Sequence, residues 1–127
     1  MKKVCVTVVL GFVAVAFCVS SASALPPFQK EWKAKYTEGN SNAAFVEAAE
    51  AAKCNVCHTG TSKKDHNEYG KMVKKYLTKA KYNEIKEDAE AAKKYISESL
   101  LKAESEKNGA GKTYGEMLKA GEAPFGT

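Results

Sequence analysis

The sequence AAKCNVCHTG, from Ala51 to Gly60, contains two cysteines three positions apart and a histidine directly after the second. Three kinds of site use such residues: a covalently attached haem, a zinc ion, or a thiol–disulfide exchange centre. Each would organise a small protein differently, so the identity of the site decides the fold. The rest of the sequence helps to distinguish among these three uses of Cys54, Cys57 and His58.

The first 24 residues have the three parts of a secretory signal peptide. Two lysines follow the first methionine, residues 4–19 are almost entirely apolar, and small residues at 22–24 form a cleavage site. The apolar run is short for a membrane span, and no stop-transfer segment follows it. We therefore expect a cleaved signal peptide at 1–24 and one exported, periplasmic domain at 25–127 without a stable membrane span.

The expected mature domain is small enough that its core would be marginal without an additional element. Cys5 and Cys18 leave with the signal peptide, so only Cys54 and Cys57 remain. A disulfide between these two would close a very short loop and add little stability. Some other element that helps to form the core is therefore expected.

The charged residues of the mature domain argue against a nucleic-acid partner. The chain has 20 basic residues, all lysine, and loss of Lys2 and Lys3 leaves 18 against 15 carboxylates, a net charge of +3. Arginine is the side chain best suited to phosphate recognition, and it is absent from the sequence. The lysines alternate with glutamates, which is typical of a solvated surface.

The spacing of apolar residues predicts helices and no convincing strand. The predicted helices fall, in chain order, at 28–36, 45–52, 69–77, 85–103 and 113–121. The first has an aromatic residue at every fourth position, Phe28, Trp32 and Tyr36. Asp65 with Glu68 predicts a capping box at the start of the third helix, and Thr113 with Glu116 predicts one at the start of the last.

Two of these helices contain a similar segment, YGKMVK at 69–74 and YGEMLK at 114–119. Glycine inside a helix costs about 1 kcal/mol relative to alanine. Close approach of a flat bound group or tight packing between helices would explain Gly70 and Gly115 equally well.

A C-x-x-C-H motif is typical of covalent haem attachment. Two thiols about one turn apart can add to the two vinyl groups of a porphyrin, and the adjacent histidine can ligate the iron. A zinc site would need His66 as a fourth ligand, and neighbouring Cys57 and His58 rarely bind one tetrahedral ion. A thiol–disulfide centre normally lies in a βαβ unit. Haem is therefore favoured, with a zinc-held structural module and thiol–disulfide chemistry as alternatives.

With a helix leading into CNVCH and a helical body after it, the chain resembles a small monohaem c-type cytochrome of class I. The resemblance implies an all-α fold, a compact bundle of about four to five short helices around one covalent haem c. It implies thioether bonds from Cys54 and Cys57, with His58 as the proximal iron ligand. It also implies electron transfer between periplasmic redox partner proteins rather than enzymatic catalysis.

The ligand on the distal side of the iron is open at this point. Met117 lies well downstream of the motif, as the family pattern prefers, and is the first candidate. Met72, on a predicted helix, and His66, in the polar loop after the motif, are the others. A vacant distal position would instead predict binding of a small ligand, peroxidase-like activity, or a role as the haem subunit of a redox enzyme.

Overall fold

The computed structural model describes residues 26–61 and 63–125. The predicted signal peptide at 1–24 lies outside the described residues. Within them the chain is mostly helical, as predicted, and no helix is long and apolar enough to cross a membrane. The α-helices are α1 (Pro26–Tyr36), α2 (Ala43–Ala52), α3 (Glu68–Tyr76), α4 (Lys79–Ile85), α5 (Ala89–Glu104) and α6 (Tyr114–Ala120).

The bounds of the longest helix and the structure of the polar loop differ from the sequence prediction. The long helix predicted at 85–103 is broken, because the Asp88 carboxylate accepts hydrogen bonds from the backbone N–H groups of Glu90 and Ala91 and so begins α5 separately. The described residues therefore contain six α-helices rather than four to five. The polar loop after the motif contains a short antiparallel hairpin, β1 (His58–Thr59) and β2 (Asp65–His66), where no strand was predicted.

The start of α3 is fixed by Asn67, so the capping box predicted for Asp65 and Glu68 is wrong. Asn67 Oδ1 accepts from the backbone N–H of Gly70 at 2.7 Å. Its side-chain amide also donates to the carbonyl oxygen of Val56 at 2.9 Å. One side chain thus caps the helix and ties it to the short 3-10 helix that carries the first motif cysteine.

The predicted capping box at α6 is confirmed, and it holds a helix that packs closely on α5. Thr113 Oγ1 accepts from the Glu116 backbone N–H at 3.2 Å, and the Glu116 carboxylate accepts from the Thr113 N–H at 2.8 Å. A Cβ atom added at Gly115 would lie 3.1 Å from Cβ of Glu104. Helix packing therefore accounts for the glycine in the second YG segment.

The core lies where α1, α3 and α5 meet, and it contains a buried polar network. Trp32, on the predicted aromatic face of α1, donates from Nε1 to the hydroxyl of Tyr69 at 2.9 Å. The Tyr36 hydroxyl donates to Oε1 of Glu104 at 2.6 Å. Burial raises the pKa of both tyrosines, so both hydroxyls remain protonated. The network fixes α1 against α3 and α5.

Removal of the Tyr69 hydroxyl is expected to lower the free energy of unfolding by about 1–3 kcal/mol, because the Trp32 N–H would stay buried without an acceptor. Urea unfolding of the exported Tyr69→Phe protein, followed by circular dichroism, measures this loss. Tyr82→Phe is the control, since that ring packs edge-on against Phe28 and its hydroxyl takes no part in the network. Equal stability of the two variants would contradict the role of the network.

Candidate functional site

A cavity of about 360 Å³ lies beside the C-x-x-C-H motif. Its volume is within the range of about 300–1,000 Å³ that is usual for small-molecule and cofactor sites. Cys54, Cys57 and His58 all line it. The structure therefore brings the three residues of the motif to one cavity.

The walls of the cavity are mainly apolar and come from four α-helices, with Ala49 of α2 among them, and from Val56 of the 3-10 helix. Phe28 and Trp32 belong to α1. Val73 lies on α3, Leu77 is the C-cap of that helix, and Leu100 lies on α5. Apolar surface that a bound group buries against these side chains stabilises the complex by about 25 cal/mol per Å². The cavity thus provides a place for the additional core element that so small a domain was expected to need.

The charged side chains that line the cavity are lysines, with no carboxylate among the described residues there. They are Lys33, Lys53, Lys63, Lys74 and Lys79. Because the domain as a whole is nearly balanced in charge, this is a local excess of positive charge. It favours an anionic group at the cavity, such as a carboxylate.

His58 is held in an orientation that suits a metal ligand. Its Nδ1 atom lies 3.2 Å from the carbonyl oxygen of Asp65, on the opposite strand of the hairpin. A carbonyl oxygen can only accept, so Nδ1 is the donor in this contact and Nε2 is the ring nitrogen that could bind a metal. Metal-ligating histidines commonly donate their other ring N–H to a backbone carbonyl in this way.

Helix α3 packs directly on the backbone of the motif. A Cβ atom added at Gly70 would lie 1.8 Å from the carbonyl oxygen of Cys57. The same carbonyl accepts a hydrogen bond from the backbone N–H of Asn67 at 3.0 Å. Contact with the motif backbone therefore accounts for the glycine in the first YG segment.

Both motif cysteines are free thiols and are half-buried. Burial, with a smaller contribution from Cys54, raises the pKa of the Cys57 thiol to about 12. In the folded domain that thiol is therefore protonated at neutral pH and is a poor nucleophile. Any chemistry at Cys57 is therefore expected to take place before the domain folds. Export of an unfolded chain would allow this order.

Lys53, directly before the first motif cysteine, has φ +50° and ψ −119°, a conformation that favours glycine. Lys53→Gly is therefore expected to raise the free energy of unfolding by about 1 kcal/mol. Lys53→Ala removes the same charge and keeps the strain, so it is the matched control. Urea unfolding of both exported variants measures the difference, and a glycine variant no more stable than the alanine variant would contradict it.

The three predicted distal ligands have different positions. His66 lines the cavity, on the strand that pairs with the strand of His58. Met72 on α3 and Met117 on α6 are half-buried, pack against the core and do not line the cavity. The Met117 sulfur accepts a hydrogen bond from Nδ2 of Asn108 at 3.4 Å.

The zinc alternative gains no support from this geometry. In the described part of the chain, no three or more histidine, cysteine, aspartate or glutamate side chains form a group that could hold a metal ion. The rings of His58 and His66 instead lie side by side, with centroids 4.4 Å apart.

Compared with known proteins, the chain matches no family model, no curated protein and no solved structure. The motif and the cavity beside it are therefore the features that indicate its function.

Proposed function

We propose that the protein is an exported monohaem c-type cytochrome that transfers electrons between periplasmic redox partners. Cys54 and Cys57 would form thioether bonds to the haem, and His58 would be the proximal iron ligand. The observation that carries the proposal is the convergence of these three side chains on one apolar cavity. Export is proposed on the signal-peptide pattern of the first 24 residues.

The residues at the cavity fit a haem chemically. Two thiols are available for the vinyl groups. Nδ1 of His58 is hydrogen-bonded to the carbonyl oxygen of Asp65, so Nε2 is the ring nitrogen that would bind iron. Phe28, Trp32 and other apolar side chains match the porphyrin face, and the lysines match the two propionates. The zinc and disulfide alternatives make no use of the apolar walls.

Electron transfer follows from this set of groups. A bound haem supplies a one-electron iron couple whose potential depends on axial ligands and burial. The chain's own residues attach the haem, orient it through His58 and exclude water along the apolar walls. The lysines around the cavity balance the propionates and would favour an acidic surface on a redox partner.

The proposal is tested by export of the chain in a bacterial host that attaches haem to a control cytochrome. We expect a red protein whose haem stain survives a denaturing gel and whose visible spectrum changes reversibly in a single one-electron titration. A colourless product beside a correctly matured control would overturn the proposal. A stained protein that cannot be cycled between oxidised and reduced forms would overturn the electron-transfer role.

A further inference from the structure

We infer that the haem iron has an open axial position opposite His58, which binds a small neutral ligand such as carbon monoxide or nitric oxide. This inference rests on the proposed haem and adds a ligand-binding activity to it. A protein ligand opposite His58 would have to come from the lining of the cavity. Apart from the motif, the nitrogen or sulfur ligands available in that described lining are His66 and five lysines, with no methionine.

Met117 is held away from the cavity by its own helix. No residue of α6 lines the cavity. Tyr114 and Leu118 of the same helix are only 3% and 5% exposed, and the Met117 sulfur is hydrogen-bonded to Asn108. Movement of Met117 to the iron would expose both buried side chains and break the packing of α6 on α5.

Met72 lies on a different face of α3 from the residues that line the cavity. Gly70, Val73 and Leu77 recur at helical spacing and face the cavity together. Met72 is turned by about 100° from Val73 and about 200° from Gly70. Rotation of α3 is blocked, because Gly70 contacts the Cys57 carbonyl so closely that not even a Cβ atom fits between them.

His66 lines the cavity from the same side as His58. The two residues are directly paired in the hairpin, so their side chains project from the same face of the two strands. Their ring centroids are 4.4 Å apart. Two axial ligands of a haem reach the iron from opposite faces of the porphyrin. His66 therefore packs beside the proximal ligand and does not face it.

The lysines are suited to the propionates rather than to the iron. A lysine ammonium has three N–H donors and no lone pair for a metal, which suits it to a carboxylate. Lys33 is paired with Glu50 at 2.6 Å, and Lys63 donates to the carbonyl oxygen of Gly60 at 3.0 Å.

The remaining wall is apolar and includes Phe28, Leu77 and Leu100. Such a wall supplies no ligand to the iron. A neutral diatomic molecule has little hydration to lose, so it can bind against this apolar wall without a polar partner. The lysines of the same lining are matched by the two propionates.

The test is addition of carbon monoxide to the reduced, haem-loaded protein, with the visible spectrum as readout. We expect the main haem absorption band of the whole population to shift, with saturation at one ligand per haem. The oxidised protein should lack a methionine–iron charge-transfer band. Met72→Leu and Met117→Leu conserve volume, and both should keep the carbon monoxide affinity and midpoint potential of the unaltered protein.

An unchanged spectrum under carbon monoxide would overturn the inference. If Met72→Leu, Met117→Leu or His66→Gln then gained carbon monoxide binding, the altered residue would be the one that occupies the iron. Haem staining of the same samples after denaturation separates the two proposals. Stained protein that does not bind carbon monoxide contradicts the open position alone, whereas unstained protein contradicts the haem itself.

Discussion

Replacement of both Cys54 and Cys57 by alanine is expected to abolish all haem that survives denaturation. In the proposed cytochrome each thiol would supply one thioether bond, so the double variant would retain only the bond from His58 to iron and contacts with the apolar walls. Those noncovalent interactions are lost when the protein unfolds. A haem-stained denaturing gel, normalised to the amount of protein, measures the effect as a change from full staining to none.

The chain offers a matched control for this experiment. Cys5 and Cys18 lie in the predicted signal peptide and would be absent from the mature protein. Their replacement by alanine is therefore expected to leave the stain unchanged. Full staining of the Cys54→Ala, Cys57→Ala protein would refute covalent attachment through the motif.

The second large effect is expected from Gly70→Ala, with a loss of more than about 3 kcal/mol in the free energy of unfolding. The added Cβ would lie 1.8 Å from the Cys57 carbonyl oxygen, a backbone atom that cannot turn aside as a side chain can. Helix α3 would have to separate from the motif. That movement would break the hydrogen bonds from Asn67 to Cys57 and Val56.

Gly109→Ala is the control for that substitution, because no atom lies within 4 Å of a Cβ added at Gly109. We expect its effect to be within about 0.5 kcal/mol. Urea unfolding of the exported variants, with haem staining to compare their maturation, gives both values. Similar stabilities for the two variants would show that α3 does not pack on the motif as described.

The helices were predictable where local chemistry determines them. The aromatic spacing of α1 and the Thr113–Glu116 capping box at α6 are short-range patterns, and both are confirmed. The break before α5 was missed because Asp88 lies within a run of good helix formers, where its capping hydrogen bonds compete with an unbroken helix. The hairpin was missed because two residues per strand are too few for an alternating pattern.

The site was predictable only in its contiguous part. The motif places Cys54, Cys57 and His58 together because they are neighbours in sequence. The distal candidates depend on which helix face turns toward the cavity, and that is set by long-range contacts such as the one between Gly70 and the Cys57 backbone. The role of Asn67 could have been predicted in part, because an asparagine directly before a helix is a common N-cap. Its contact with the motif could not.

The excess of lysine at the cavity was hidden for a related reason. The five lysines concerned are scattered from position 33 to position 79, among glutamates that the fold leaves elsewhere. Sequence patterning therefore indicated an evenly mixed surface. Only the packing of α1, the 3-10 helix, the hairpin, α3 and α4 collects these lysines at one place.

The most direct test of covalent haem attachment is the intact mass of the exported protein, measured after denaturation. We expect one species with the mass of residues 25–127 plus a single haem. Fragmentation should place the haem on the peptide that contains Cys54 and Cys57. A mass equal to the polypeptide alone, from a host that attaches haem to a control cytochrome, would contradict covalent attachment.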